Sequence, residues 1–255
     1  MNAASLRVDL ATTRFGRELE FYEVTDSTNT RAKEALETQS LPEGFVFIAA
    51  TQTAGRGVGE HHWESSEPEG LLFSLVVQTP ITRRPLSFMP AIAIARMLGE
   101  RHGLDAHLKW PNDVLIGSRK VSGILCENAV QPDGSTAWII GVGLNVNQTA
   151  FGPEVEDRAT SLRMIAGKPF SIESVFADLM AAMEAVYDDT TSLPELWLEH
   201  TRMVGRPMQV TDASGTCEVE VTGIDTDGHL CITRADGTTE TWASTAGRTI
   251  VPTYG

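Results

Sequence analysis

Cysteine is scarce in this chain of 255 residues, which has three thiols, Cys126, Cys217 and Cys231. An odd number without CxxC or HxxxH spacing argues against a disulfide framework and against a zinc site. It points to free thiols in a reducing cytoplasm. Positive charge is also in short supply. Lys and Arg number 20 against 34 Asp and Glu, a net charge of −14. No basic stripe interrupts this deficit, so binding to the phosphate backbone of DNA or RNA is not expected. No apolar run reaches membrane-spanning length. Met1-Asn2-Ala3-Ala4-Ser5 also lacks the basic flank and apolar core of a signal peptide, so neither a membrane partner nor secretion is expected. Repeats and low-complexity tracts are missing too. What is present, 42% hydrophobic and 21% charged residues, is the balance of an ordinary globular protein with one sizeable core.

The most informative stretch is Lys109-Trp110-Pro111-Asn112-Asp113-Val114, continuing through Arg119-Lys120-Val121-Ser122-Gly123 to Glu127. It reads as a β-hairpin, with Val114–Ile116 as one strand, Gly117-Ser118 as a two-residue turn, and Val121–Cys126 as the return. Lys109, Asn112 and Asp113 place polar groups in an otherwise apolar strand, although Asn112-Asp113 after Pro111 reads equally well as a turn. Lys120 is either a solvated surface lysine or a point charge aimed over the strand end, with Gly123 letting a ligand approach the backbone.

The remaining elements follow from periodicity. Leu19 to Val24 is a strand leading into Asp26-Ser27-Thr28-Asn29 and a helix over Thr30–Glu37. Ser27, Thr28 and Asn29 there are helix N-caps, or donors to a neutral ligand group such as a ureido or carbonyl function. Phe45–Ala50 is a buried strand. It opens into Thr51-Gln52-Thr53-Ala54-Gly55-Arg56-Gly57-Val58-Gly59-Glu60-His61-His62-Trp63, a glycine-rich loop able to wrap a phosphate and anchored by Trp63. Adjacent His61 and His62 cannot both face one ion, so no metal site is assigned to them. Gly70–Gln78 is a further strand, and a helix runs from Pro90 to Gly103. Trp138–Asn147 is a strand whose Gly141 and Gly143 share a face, leaving either a floor for a flat ring or alkyl chain, or room for a crossing neighbour. Phe151–Ala159 reads as a loop. Helices follow from Ser171 to Tyr187 and from Pro194 to Met203. After Gly205, five short alternating strands separated by Asp/Gly turns mark a small β-barrel. Its three arginines against seven acids do not make a nucleic-acid module. The expected division is residues 1–203 and 204–255.

Taken together, Asp26-Ser27-Thr28-Asn29, Gln52 with Gly55-Arg56-Gly57, Trp63-Glu64-Ser65, Lys109-Trp110-Pro111-Asn112-Asp113, Arg119-Lys120 with Ser122-Gly123-Ile124-Leu125, and Gly141-Val142-Gly143-Leu144-Asn145 resemble the biotin–protein ligase (biotin–[acetyl-CoA-carboxylase] ligase) family. The match runs from about residue 20 to the C-terminus. With about twenty residues before the first strand, it corresponds to the form without an N-terminal DNA-binding domain. The resemblance implies an α/β (α+β) fold, with a mixed-sheet catalytic domain of the biotin/lipoate ligase, class II synthetase-like type followed by a Src-homology-3-like barrel. It also implies a two-step reaction. Biotin and ATP, with Mg²⁺, give biotinyl-adenylate, and the acyl group then passes to a lysine of a biotin carboxyl carrier domain.

By the same resemblance, Lys120 and Arg56 are the catalytic cations. Biotin falls to Ser27, Thr28, Asn29, Gln52, Gly55, Arg56, Gly57, Lys120, Gly123 and Gly143. The adenylate falls to Arg56, Val58, Trp63, Lys109, Asn112, Asp113, Lys120 and Asn145, and no residue is assigned as a metal ligand. The family loop reads GRGRxxRxW, whereas Val58 and His61 stand here in place of its two later arginines. That departure leaves open a weakly active or non-catalytic biotin-binding homologue. A lipoate or octanoate ligase of the same fold is the other alternative. Oligomeric state stays open, since family members occur as monomers and dimers.

Overall fold

The computed structural model describes residues 1–59, 62–64, 68–78, 85–213, 215–245 and 247–252. In chain order the elements are α1 (Ala3–Arg7), β1 (Leu19–Thr25), α2 (Thr28–Thr38), β2 (Val46–Gln52), β3 (Gly70–Val77), α3 (Phe88–His102), β4 (Ala106–Lys109), β5 (Asp113–Ile116), β6 (Arg119–Val130), β7 (Thr136–Asn145), α4 (Leu162–Ala166), α5 (Ile172–Asp188), α6 (Leu193–His200), β8 (Pro207–Asp212), β9 (Gly215–Ile224), β10 (Leu230–Arg234), β11 (Thr239–Trp242) and β12 (Thr249–Pro252).

Seven strands form a mixed sheet in the order β1-β2-β3-β7-β6-β5-β4, parallel only between β1 and β2. One face is packed by α1, α3, α5 and α6, and its core includes Leu6, Phe15, Phe73, Phe88, Phe176 and Trp197. The apolar side chains of α5 recur every three or four residues, so one stripe of that helix is buried. On the opposite face a single helix, α2, lays Ala32 and Leu36 over Phe47, Val76, Ala129, Ala137 and Ile139. That cover is short, and the rest of this face carries the functional groups. The five C-terminal strands form an antiparallel sheet in the order β11-β10-β9-β8-β12. Pairing of the first of these strands with the last is the strand order of the Src-homology-3-like type. No helix among the described residues is long and apolar enough to cross a membrane.

Local differences from the sequence reading have physical causes. The Lys109–Asp113 stretch is a turn between β4 and β5, not a continuous strand, and Lys109 pairs with Asp113 across it. Its tryptophan is structural. The Trp110 indole Nε1–H donates to the Gly228 carbonyl at 3.0 Å and thereby pins the large sheet to the C-terminal one. Helix α3 begins two residues before Pro90, with Phe88 and Met89 already buried. The short helices α1 and α4 carry too few turns to leave a periodic signal.

The N-terminal segment is held by one carboxylate. Glu184, 8% exposed, accepts the backbone N–H groups of Thr13, Arg14 and Phe15 and the Thr13 hydroxyl. Burial pushes its carboxyl pKa up, but the hydrogen bonds from Thr13, Phe15 and Arg14 outweigh this and leave it below the ordinary glutamate value. A depressed folded-state pKa contributes stability above the unfolded value that is lost as pH falls through the folded one. Glu184→Ala is therefore expected to cost about 2–3 kcal/mol in urea unfolding at pH 7 by leaving these donors unpaired. The difference from wild type should shrink as pH is lowered below the glutamate range, and urea midpoints across that range check it.

Candidate active site

Two rows of residues run across the uncovered part of the sheet. Register places Leu72, Gly143, Gly123 and Asp113 side by side on β3, β7, β6 and β5. Two residues along the strands, Ser74, Gly141 and Leu125 form the second row. Side chains alternate faces along a strand, so both rows face α2. The glycines matter because other groups of the chain come close above them. A Cβ on Gly143 would lie 2.7 Å from Trp63 Cζ2, and one on Gly123 would lie 3.0 Å from Trp63 Cζ3 and 2.9 Å from Lys120 Nζ. A Cβ on Gly141 would lie 2.9 Å from Asn29 Cγ. Of the two readings of the glycine spacing, the structure shows the close approach of other parts of the chain, with Trp63 over Gly143 and Gly123 and Asn29 over Gly141. The Trp63 indole lies along it, and its buried Nε1 has no hydrogen-bond partner among the described residues.

At one end of this trough the register shifts between Val114 and Leu115, leaving Val121 as an extra residue on β6, and this bulge brings Lys120 onto the face of Gly123. Its ammonium lies 2.6 Å from Asp113 Oδ1 and 5.7 Å from the centroid of the Trp63 ring. The backbone of Lys120 is pinned on both sides, donating to the Arg158 carbonyl at 2.7 Å and accepting from Thr160 N–H at 2.9 Å. Lys109 joins the cluster, its pKa lowered by burial and by the charges of Lys120 and Arg158 against the opposing pull of Asp113. Arg158, in a loop that carried no motif, is the cation that sequence reasoning missed here. Asn112 braces the turn, its Nδ2 donating to the Ile124 carbonyl at 2.5 Å. Asn145 is buried on the same strand as Gly143, its amide donating to the Thr160 carbonyl at 3.0 Å.

The other end is built around the start of α2. Ser27, Thr28 and Asn29 are buried at 4% exposure each. Ser27 occupies the N-cap position without a side-chain capping bond. Gln52 takes that role from β2, its Oε1 accepting Thr28 N–H at 2.7 Å. Asp26 fixes the turn by accepting Ser27 N–H, the Thr25 hydroxyl and Arg31. Burial raises its pKa, but these bonds outweigh that and lower it. Ser74 Oγ stands 2.8 Å from Thr28 Oγ1 and 2.5 Å from Asn29 Oδ1. The glycine loop closes at its base, where Trp63 N–H donates to the Gly55 carbonyl at 3.0 Å and Arg56 bridges to His62. Gly57 is half-buried and Val58 exposed in the loop. Glu60, His61 and Ser65, which figured in the loop reading, lie outside the described residues.

Arg56 and Lys120 do not meet. Arg56 forms a two-toothed ion pair with Glu127, at 3.0 Å and 2.6 Å. Glu127 and Lys120 are seven residues apart on β6, roughly 20–23 Å of extended backbone. Each cation is matched by its own acid, and the trough of glycine and indole lies between. Such a site suits an elongated ligand with a neutral polar head at the α2 end and an anionic group at the Lys120 end. Buried Ser74 and half-buried Glu127 were not singled out from sequence. The unpaired serine inside the apolar run Leu71–Val77 was the available signal for the first.

Comparison with known proteins places nearly the whole chain beside a group of ligases. The sequence model of the biotin/lipoate A/B protein ligase family matches residues 21–147. The chain is 33% identical over 247 residues to the bifunctional ligase/repressor BirA of Bacillus subtilis (strain 168), covering 93% of this chain and 76% of that protein. It is 30% identical over 243 residues to the biotin–[acetyl-CoA-carboxylase] ligase of Paracoccus denitrificans, covering 89% and 95%. Among solved structures, the biotin protein ligase from Aquifex aeolicus in complex with biotin and ATP superposes with a TM-score of 0.77 at 26% identity. It covers 93% of this chain and all of that one.

Gly143→Ala is expected to drive the Trp63 indole off the sheet, because the added methyl claims its volume. Tryptophan emission should shift to longer wavelength in this variant. The shift should vanish when the same substitution is made in a Trp63→Phe background.

Proposed function

The chain belongs to the biotin/lipoate A/B protein ligase family, and on that premise we propose that it is an ATP-dependent biotin–protein ligase acting through the Lys120-to-α2 trough. A carboxylate oxygen of biotin attacks the α-phosphorus of ATP, and pyrophosphate leaves to give biotinyl-adenylate. A lysine amine of the acceptor then attacks the acyl carbonyl, AMP leaves, and an amide bond is formed. The named relatives include biotin–[acetyl-CoA-carboxylase] ligases, which supports a carboxylase as acceptor, its biotin carboxyl carrier domain being the part modified.

The observation that carries the reading is the position of Lys120 above Gly123, at the end of the trough away from α2. Attack of a carboxylate on a phosphate concentrates negative charge, so the protein's task is to aim fixed donors at it. Lys120 is held for this by its bulge, by both of its backbone bonds and by Asp113, with Lys109 and Arg158 adding positive potential. At the far end, Ser27, Thr28, Asn29 and Gln52 offer hydroxyl and amide groups to the neutral ureido head. Gly143 and Gly123 are the floor offered to the ring and chain, which requires the Trp63 indole to leave the place it takes over them here, and Gly55, Arg56 and Gly57 close over them. Trp63 and Asn112 then flank the nucleotide end, with Asn145 two residues along β7 from Gly143. A magnesium ion bound with substrate phosphates needs only one or two protein carboxylates. Asp113, already paired with Lys120, is the carboxylate at that end that would hold such an ion, which would supply neutralisation of phosphate charge.

The division after residue 203 belongs to the same proposal, supported by a second sheet drawn wholly from Pro207 to Pro252. A cytoplasmic setting is supported by the three free thiols, and the acidic charge balance speaks against a nucleic-acid partner.

Wild-type protein is expected to release pyrophosphate with biotin and ATP, and not with lipoate and ATP. Lys120→Ala should lower carrier biotinylation about 10²–10³-fold, the usual effect of losing one transition-state donor. A folded Lys120→Ala variant with nearly unchanged biotinylation would refute the assignment.

A second reading concerns the fate of the adenylate. Val58 is 44% exposed at the loop position where the family has an arginine. It offers no charge-assisted bond to hold a phosphate. Biotinyl-adenylate should therefore escape faster from wild type than from Val58→Arg. Equally slow release from both proteins would end that idea.

A further inference from the structure

Glu127 lies on β6 at the α2 end of the trough, where it touches both the start of α2 and the glycine loop. Oε2 accepts from Arg56 Nη2 at 2.6 Å and from Asn29 Nδ2 at 2.7 Å, while Oε1 accepts from Arg56 Nη1 at 3.0 Å. A carboxylate can only accept, so Asn29 must present its NH₂ group to Glu127 and its oxygen to Ser74. The carboxylate therefore decides which way the Asn29 amide faces. By matching the guanidinium fork it also fixes the plane of Arg56. Through it, Thr28, Ser74, Asn29 and Arg56 form one hydrogen-bonded chain, running from the buried start of α2 to the glycine loop.

We propose that Glu127 is the positioning residue for the acid substrate: its carboxylate orients the Asn29 amide and the Arg56 guanidinium around the head group, and it acts on that end of the site rather than on the nucleotide. The proposal rests on the biotin-ligase reading and deepens it. A purely structural Glu127 would lower stability and would affect both substrates alike. A positioning Glu127 acts through Asn29 and Arg56, so its effect should shrink when Asn29 is already gone.

The test is initial-rate pyrophosphate release with biotin and ATP varied separately. The proteins are wild type, Glu127→Gln, Glu127→Ala, Asn29→Ala and the double variant Asn29→Ala/Glu127→Gln, with thermal midpoints measured in parallel. Glu127→Ala should raise the biotin KM about tenfold or more with the ATP KM within about threefold. Glu127→Gln keeps the acceptor for Asn29 but loses the charge, and should fall between wild type and Glu127→Ala. In the Asn29→Ala background, Glu127→Gln should raise the biotin KM by a smaller factor than it does in the wild-type background, because the part of its effect that runs through Asn29 is already gone while the part through Arg56 remains. Additive effects, a parallel rise in the ATP KM, or an unchanged biotin KM would each overturn the proposal. If Glu127→Ala does not fold, Glu127→Gln and the double variant decide it. A wild type that releases no pyrophosphate with biotin and ATP overturns the ligase reading itself. An active wild type with unmoved Glu127 variants overturns only the positioning role.

Discussion

The structure turns on a backbone coincidence, the register that sets Gly123 of β6 beside Gly143 of β7. Two facing residues without side chains lower the sheet surface locally by the depth of a methyl layer. A tryptophan from the loop after β2 lies in that depression, and Lys120 leans over its edge. A one-residue slip in this pairing would send the whole row to the α5 face, so the hydrophobic core that sets the register also sets the site. Core and chemistry are here two faces of one sheet.

Charge is distributed along the trough with similar economy. The chain as a whole is acidic, yet its site contains Lys109, Lys120, Arg56 and Arg158. Glu127 and Asp113 keep Arg56 and Lys120 compensated and in fixed orientation. Compensation limits the cost of holding cations at half-buried positions, where isolated charges are disfavoured. The two ends differ in their groups, with amides, hydroxyls and the neutralised Arg56–Glu127 pair around α2, and Lys109, Lys120 and Asp113 around the β4–β5 turn. The neutral α2 end and the charged far end match a substrate that is polar but uncharged at its head and acidic at its tail.

Much of this was legible in the residues. Buried strands announced themselves as unbroken apolar runs, α5 as a stripe at helical spacing, and the C-terminal sheet as short alternating segments between Asp/Gly turns. Lys120 and the glycine pair were singled out as unusual for their setting. Other features were hidden for a shared reason, that their meaning depends on a partner distant in sequence. Ser74 looks like a polar interruption until Thr28 and Asn29 are placed above it. Glu127 looks like a strand-edge acid until Arg56 reaches it from 71 residues away. Ser27 seemed to be a capping residue, but Gln52 caps the helix in its place. Lys109 to Asp113 looked like part of a strand because the apolar run Val114–Ile116 follows it directly, whereas the chain reverses there and its tryptophan serves the contact between the two sheets.

Local sequence settled which segments are helix or strand, which faces are apolar, and which residue types are available for chemistry, because those properties depend on neighbours within a few positions. The tertiary structure alone decided that Arg56 faces Glu127 and not Lys120, that Trp63 lies on Gly143, and that a bulge turns Lys120 onto the working face. Those outcomes depend on strand register and on contacts between segments far apart along the chain, which no local pattern specifies.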